Sequence, residues 1–243
     1  MKYNNKSIIG QIVAQDYRTA SVFKRFGIDF CCQGNRTIED ACLNKGIAIS
    51  DTLKALELII GIEEKKVTDF DSWPLDLLAD YIEKKHHRFV EIKSLEIKPY
   101  LNKICKVHGN VHSELLTIKS EFDASVGELT MHMKREELLL FPYIRKLSLA
   151  KTNNGELPKA VFGSIKNPID QMEAEHSVEG ERFSKINTLS NNYSVPDDGC
   201  NTYKVTYALL KEFEDDLHHH IHLENNILFP KAFELEKSLY NGL

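Results

Sequence analysis

The sequence predicts an all-α protein: an up-down four-helix bundle preceded by a small helical N-terminal domain. Three observations carry that expectation. Four stretches of roughly 20 to 30 residues repeat apolar side chains three and four apart, the pattern of helices that bury one face in a bundle. Polar loops rich in Asn, Gly and Pro separate them, chiefly residues 148–168 and 190–201. The chain also says one thing twice. His132-Met133-Lys134-Arg135-Glu136 leads to Phe141-Pro142, and His220-Ile221-His222-Leu223-Glu224 leads to Phe229-Pro230, so both stretches read H-x3-E-x4-F-P.

Taken in order, residues 1–60 form the first domain. Ile8, Ile12 and Val13, then Val22, Phe23 and Phe26, follow helical spacing up to Gly27, a C-terminal stop. A turn-like segment, Ile28-Asp29-Phe30-Cys31-Cys32-Gln33-Gly34, comes next. Thr37-Ile38-Glu39-Asp40 opens a second helix, and Ser50-Asp51 caps a third that runs to Ile60. So small a unit buries too little apolar surface to be comfortably stable alone, so it is expected to pack on a partner domain or chain. Residues 61–74, charged and closed by Pro74, read as a linker.

The bundle is expected over residues 75–243. Its first helix carries Leu75, Leu78, Ile82, His86 and Phe89 on one stripe. The second carries Leu115, Ile118, Phe122, Leu129, His132 and Glu136. The third, starting near Pro168, carries Ile169, Met172, His176, Phe183 and Ile186, and the fourth Tyr203, Leu210, Leu217, His220 and Glu224. His132 follows His86 by 46 residues and His220 follows His176 by 44, so each half reads helix-His, loop, helix-H-x3-E.

Residues four apart lie on one helical face. The core-facing polar set is therefore His86, His132, Glu136, His176, His220 and Glu224. Six such groups in an apolar bundle are expensive unless something pairs with them, and a metal does. A structural zinc site would stop at four ligands and recruit thiolates. Six ligands in two equal halves suit a dinuclear centre, with two histidines per metal and Glu136 and Glu224 bridging. Room is left for an oxo or hydroxo bridge and an open position. The set resembles non-haem di-iron sites and differs from the ferritin-type Glu-x-x-His pattern; dimanganese and dizinc are the other metal choices. Register favours His86 over His87, which an α-helix rotates by about 100°. His218 and His219 read as a solvated tract, and His222 lies across the helix. His108 and His112 sit at the turn between the first two bundle helices.

Of five cysteines, Cys31 and Cys32 are adjacent. An odd number clustered near one end is not a secreted disulfide framework. Adjacent cysteines close on each other only with strain, so the pair reads either as packing thiols or as a redox-active or metal-handling site. The other bulk properties set limits. In 243 residues, 42% apolar and 28% charged, there is enough for a sizeable core. A net charge of −5 points to neither nucleic acid nor an anionic membrane surface. The N-terminal residues lack the apolar run of a signal peptide, so a cytoplasmic protein is expected.

On these residues the chain resembles the iron-sulfur cluster repair di-iron proteins, over nearly its whole length. Asp16-Tyr17-Arg18-Thr19-Ala20 and Gly27-Ile28-Asp29-Phe30-Cys31-Cys32 are similar to that family's short N-terminal domain, although Gln33 replaces a usual Gly. Glu175-His176, His132-x3-Glu136-Glu137 and His220-x3-Glu224-Asn225-Asn226-x-Leu228-Phe229-Pro230 are similar to its hemerythrin-like domain. The resemblance implies a cytoplasmic homodimer holding two iron ions on the six residues above, with Cys31 and Cys32 as the functional cysteine pair. It implies a stress-response role in restoring iron-sulfur proteins damaged by nitric oxide or peroxide, by supplying iron or removing NO. Two other roles are open to the same centre: nitric oxide reduction by an enzyme, or hemerythrin-like sensing of O2 or NO.

Overall fold

The computed structural model describes residues 3–61, 68–153, 155–156 and 158–241. The N-terminal helices are α1 (Ile9–Gln15), α2 (Ala20–Arg25), α3 (Ile38–Lys45) and α4 (Ile49–Ile60). Thr37 caps α3 through its hydroxyl, which accepts from the Asp40 N–H as the sequence suggests. Gly27 takes φ +62° to end α2, a conformation that favours glycine. The cap expected at Ser50-Asp51 is not used: α4 begins at Ile49, with Ala48 in the cap position and no side-chain cap.

Four long rods follow. α5 covers 75–108 as Leu75–Tyr81, a π-helical turn Ile82–His87, and Arg88–His108. α6 covers 114–152 as Glu114–Arg135, a π turn Glu136–Leu140, and Phe141–Thr152. α7 is Lys166–Leu189. α8 covers 201–241 as Asn201–Leu223, a π turn Glu224–Leu228, and Phe229–Asn241. The described residues contain no β-strand, only an isolated bridge between Ile8 and Thr37. Of the expected linker, residues 62–67 lie outside the described residues; Phe70–Ser72 forms a 3-10 turn whose Phe70 is buried against Trp73, Tyr81 and His219.

Two apolar clusters fill the rods. One gathers Phe122, Phe183 and Phe213 with Leu129, Met133, Leu217 and Ile221, and continues without a break into Ile9, Ile12, Phe23 and Phe30 of the N-terminal helices. That continuity gives the small unit the partner surface it needs. The other gathers Leu78, Ile82, Leu140, Phe141, Ile144, Leu223, Ile227 and Phe229. The polar layer lies between the two. Phe213 is fully buried and meets Phe122 edge-on at 5.3 Å and Phe183 stacked at 5.6 Å. Phe213→Ala is expected to destabilise the protein by about 3–5 kcal/mol, read as a lowered midpoint in denaturant unfolding.

The N-terminal unit docks where the second H-x3-E motif ends. The Gly10 N–H donates to the Gly34 carbonyl at 2.7 Å. A Cβ on either glycine would fall within 2.2–2.6 Å of the Asn226 Oδ1, so the approach of these backbones to α8 requires both to be glycine.

Candidate metal centre

Two clusters of potential ligands lie in the polar layer, each with its ligand atoms within 4.8 Å of one another: His87, Glu136, His220 and Glu224, and His132, Glu136, His176 and Glu224. Glu136 and Glu224 belong to both. Each cluster takes one histidine from each half of the sequence repeat. All these side chains are essentially buried, and Glu136 and Glu224 are fully so.

The structure thus brings together His132, Glu136, His176, His220 and Glu224, but it puts His87 where His86 was expected. The π turn at Ile82–His87 is the reason. A π turn holds one residue more than an α turn, which slips everything after it by about 100°. His87 therefore falls in the phase that an unbroken α-helix assigns to His86. His86 is equally buried but turned away, with Nδ1 at 3.0 Å from Asp216 and its ring stacked on His220 at 5.7 Å.

A local symmetry supports His87. Its ring stacks on Phe141 at 5.5 Å and 18°, as His176 stacks on Phe229 at 6.2 Å and 2°. Its Nδ1 meets Glu137, the residue after Glu136, at 3.0 Å; His176 Nδ1 meets Asn225, the residue after Glu224, at 2.7 Å. The F-P ending of the repeat thus supplies an aromatic lid for the histidine of the preceding helix.

Outer partners fix the tautomers. Glu175 holds His132 Nδ1 at 2.7 Å, and is itself held by Arg135 and Gln171. Asn225 Nδ2 donates to the Cys31 carbonyl, so its Oδ1 is the acceptor and His176 Nδ1 carries the proton. Both Nε2 atoms then face inward, only 3.0 Å apart, and a proton held on His132 Nε2 can be donated to the lone pair of His176 Nε2. Glu136 Oε2 stands 3.4 Å from His132 Nε2, and Glu224 Oε2 3.2 Å from His176 Nε2. Both Glu136 oxygens, Glu224 Oε2 and His87 Nε2 are buried without a hydrogen-bond partner. Inward nitrogens and carboxylate oxygens crowded this closely, with outward hydrogen bonds that raise the basicity of the rings, fit a bound cation.

Protonation tells the same story. Burial opposes charge on His132, but Glu136 and Glu175 outweigh it and lift the imidazole to about 10. The hydrogen bond from His132 holds Glu175 down at about 2. The His132 proton in the metal-free form thus contributes stability that is complete below the ordinary 6.5 and is lost as pH rises through about 10. The Glu175 contribution is present above the ordinary 4.5 and is lost as pH falls through about 2. A divalent metal must displace the His132 proton. Calorimetry at pH 7.5 in two buffers of different ionisation enthalpy is therefore expected to show net proton release, with apparent metal affinity still rising towards pH 10.

The remaining expected residues surround this centre. Cys31 and Cys32 are free thiols, 3.8 Å apart. Asp29 Oδ1 accepts from both of their backbone N–H groups and, at 3.3 Å, from Cys31 Sγ, making a third possible ligand cluster. Cys32 Sγ donates to the His176 carbonyl at 3.2 Å. The cysteine loop is therefore laid on the back of a candidate metal ligand, tied down by Asn225 and Asn226. The hydrogen bond with Cys32 and burial push the Cys31 thiol well up, which disfavours a resting thiolate.

His218 and His219 are not a solvated tract. They pack under the N-terminal unit, His219 stacked on Tyr17 at 3.9 Å and His218 edge-on to Phe30 at 6.2 Å, and burial drives them down to about 4 and about 2. His222 is buried and held by Asn226. His108 and His112 lie about 30 Å along α5 and beyond from the centre, at 1.5 Å per residue; there His108 meets Cys200 and His112 meets Asp198. Residue patterning alone missed His87 and the outer partner Asn225, which drew notice only through the resemblance.

Residues 77–232 match the hemerythrin HHE cation binding domain, and residues 5–59 match a domain of unknown function, DUF542 (ScdA_N). The chain is 31% identical to the iron-sulfur cluster repair protein YtfE of Yersinia pseudotuberculosis (serotype O:1b), over 97% of this chain and 100% of that protein. The same figures hold for YtfE of Yersinia pestis strain Pestoides F. Its two matched segments, its buried His/Glu centre and its full-length relatives agree: the chain belongs to the iron-sulfur cluster repair family, with a hemerythrin-like cation-binding domain.

Proposed function

We propose that this protein holds two iron ions, one between His87 and His220 and one between His132 and His176, with Glu136 and Glu224 shared, and supplies iron to damaged iron-sulfur proteins. The observation that carries the metal reading is the pair of ligand clusters with two carboxylates in common. Imidazole with carboxylate suits iron better than the thiolate-rich sets of structural zinc. Repair rather than NO reduction or O2 sensing is favoured because the relatives that match over their full length carry the repair name. Cytoplasmic location and a homodimer belong to the same reading. Among the described residues no helix is long and apolar enough to cross a membrane.

Bound there, iron would supply an exchangeable, redox-active cation able to bind NO or O2. The chain supplies everything else. Glu137, Glu175 and Asn225 keep protons on the outward nitrogens, so the inward nitrogens stay available. Phe141 and Phe229 shield the rings from water. Glu136 and Glu224, each within reach of both clusters, can yield one position while keeping the other, which suits a centre that gives metal away. Cys31 and Cys32 place soft donors beside it.

The test is restoration of a [4Fe-4S] enzyme inactivated by NO. Iron-loaded protein is expected to return its activity, and metal-free protein or Glu136→Leu to leave it inactive. If loaded wild type restores nothing, or converts NO to N2O in a single turnover while restoring nothing, the repair reading is wrong.

A further inference from the structure

His86 is built like a metal ligand without belonging to either ligand cluster. Its Nδ1 meets the Asp216 carboxylate at 3.0 Å, so the proton sits on that nitrogen. Its Nε2 is buried and has no hydrogen-bond partner. His87 has the same construction, a carboxylate on Nδ1 and a buried Nε2 without a hydrogen-bond partner. An ordinary packed histidine would satisfy both nitrogens, because a buried unpaired acceptor costs about 1–3 kcal/mol.

The position of His86 is as telling as its chemistry. On one side its ring stacks on His220, a member of the first ligand cluster. On another it meets His219 edge-on at 5.1 Å. His219 Nε2 is also buried and unpartnered. His219 and Asp216 in turn line a cavity of about 780 Å³ between the N-terminal unit and the bundle, beneath Tyr17. Cations also line the cavity: Lys24 and Lys211 pair with Asp215, Arg18 pairs with Asp16 and Lys85 lies over the Phe89 ring, while Asp216 faces His86. Asp216 and His219 at the cavity wall, His86 behind them and His220 of the first cluster follow one another in contact, and they offer unpartnered nitrogens beside a carboxylate.

We propose that His86, Asp216 and His219 form a transit site through which ferrous iron passes between the dinuclear centre and the cavity under Tyr17. The step is ligand exchange: a bond to a His86 or His219 nitrogen forms as one to a carboxylate or histidine of the centre breaks, and no electron moves. The inference rests on the reading of this protein as an iron donor and assigns the exit to the face of α8 that carries Asp216 and His219.

The test uses the full chain loaded with ferrous iron under anaerobic conditions, mixed with a chromogenic ferrous chelator. Iron content before mixing and the rate of capture are both measured. His86→Leu and His219→Phe, the second keeping a ring against Tyr17, are expected to retain wild-type iron content and release it roughly tenfold more slowly, the scale of effects seen when groups around a metal are altered. Unchanged release from both histidine variants, with wild type still releasing iron, overturns the transit site and leaves the donor reading intact. Loss of iron from His86→Leu before mixing also overturns it, because His86 would then be a resident ligand. Wild-type protein that yields no iron to the chelator overturns the donor reading itself.

Discussion

Glu136→Leu is expected to empty both halves of the centre rather than one. Glu136 is one of the two carboxylates common to both ligand clusters, fully buried, with both oxygens free of hydrogen bonds. Leucine is close in volume and satisfies the apolar walls on either side, so the bundle can close over the change. What it cannot do is offer a negative charge to both cations, and two dications held near each other without it repel strongly. Iron per chain, measured after anaerobic loading and desalting, is expected to fall to near zero. A thermal readout follows. A ligand present at 100 to 1,000 times its Kd raises stability by about 2.7–4.1 kcal/mol, so iron is expected to raise the wild-type melting temperature and leave that of the variant unmoved. Retention of half the iron would show that Glu136 serves only one position.

The second large effect separates two neighbouring histidines. His87→Ala is expected to remove the iron held with His220 and spare the one held with His132 and His176, halving the content. His86→Ala is expected to keep the full amount. The contrast follows from the π turn at Ile82–His87, which puts His87 Nε2 at 3.3 Å from Glu136 and leaves His86 on Asp216. Equal losses in both variants, or loss only in His86→Ala, would mean that the turn is wound as a plain α-helix in the loaded protein.

This one position marks how far the sequence could be read. The four amphipathic rods, the loops and the duplicated H-x3-E pair are legible because apolar spacing and ligand spacing both follow the α-helical period. Five of the six residues chosen by register meet in the centre for the same reason. The sixth slipped by one residue because a π turn changes the period where the ligand sits. In α6 and α8 such a turn has a visible cause: Pro142 and Pro230 follow Glu136–Leu140 and Glu224–Leu228, and a proline cannot donate to the preceding turn. In α5 no proline follows His87, so nothing in the pattern announces the slip. The near-equality of His87-to-His132 (45 residues) and His176-to-His220 (44) was the faint signal.

The burial of His218 and His219 was illegible for another reason. On α8 they lie off the apolar stripe, and Tyr17 and Phe30 of the N-terminal unit cover them together with Phe70 of the linker and His86 of α5. Long-range packing of one segment on another leaves no trace in local periodicity. The adjacency of Cys31 and Cys32 to the back of His176 is of the same kind, since 144 residues separate Cys32 from the carbonyl that it meets.

The central claim is that two iron ions sit between Glu136 and Glu224, one on His87 and His220 and the other on His132 and His176. Anomalous diffraction at the iron absorption edge, from crystals of the anaerobically loaded protein, tests it most directly. The account predicts two peaks per chain, each touching one histidine from each half of the repeat and both carboxylates. A single peak in the bundle, or an ion bound through His86 or only at Asp29, Cys31 and Cys32, would contradict it.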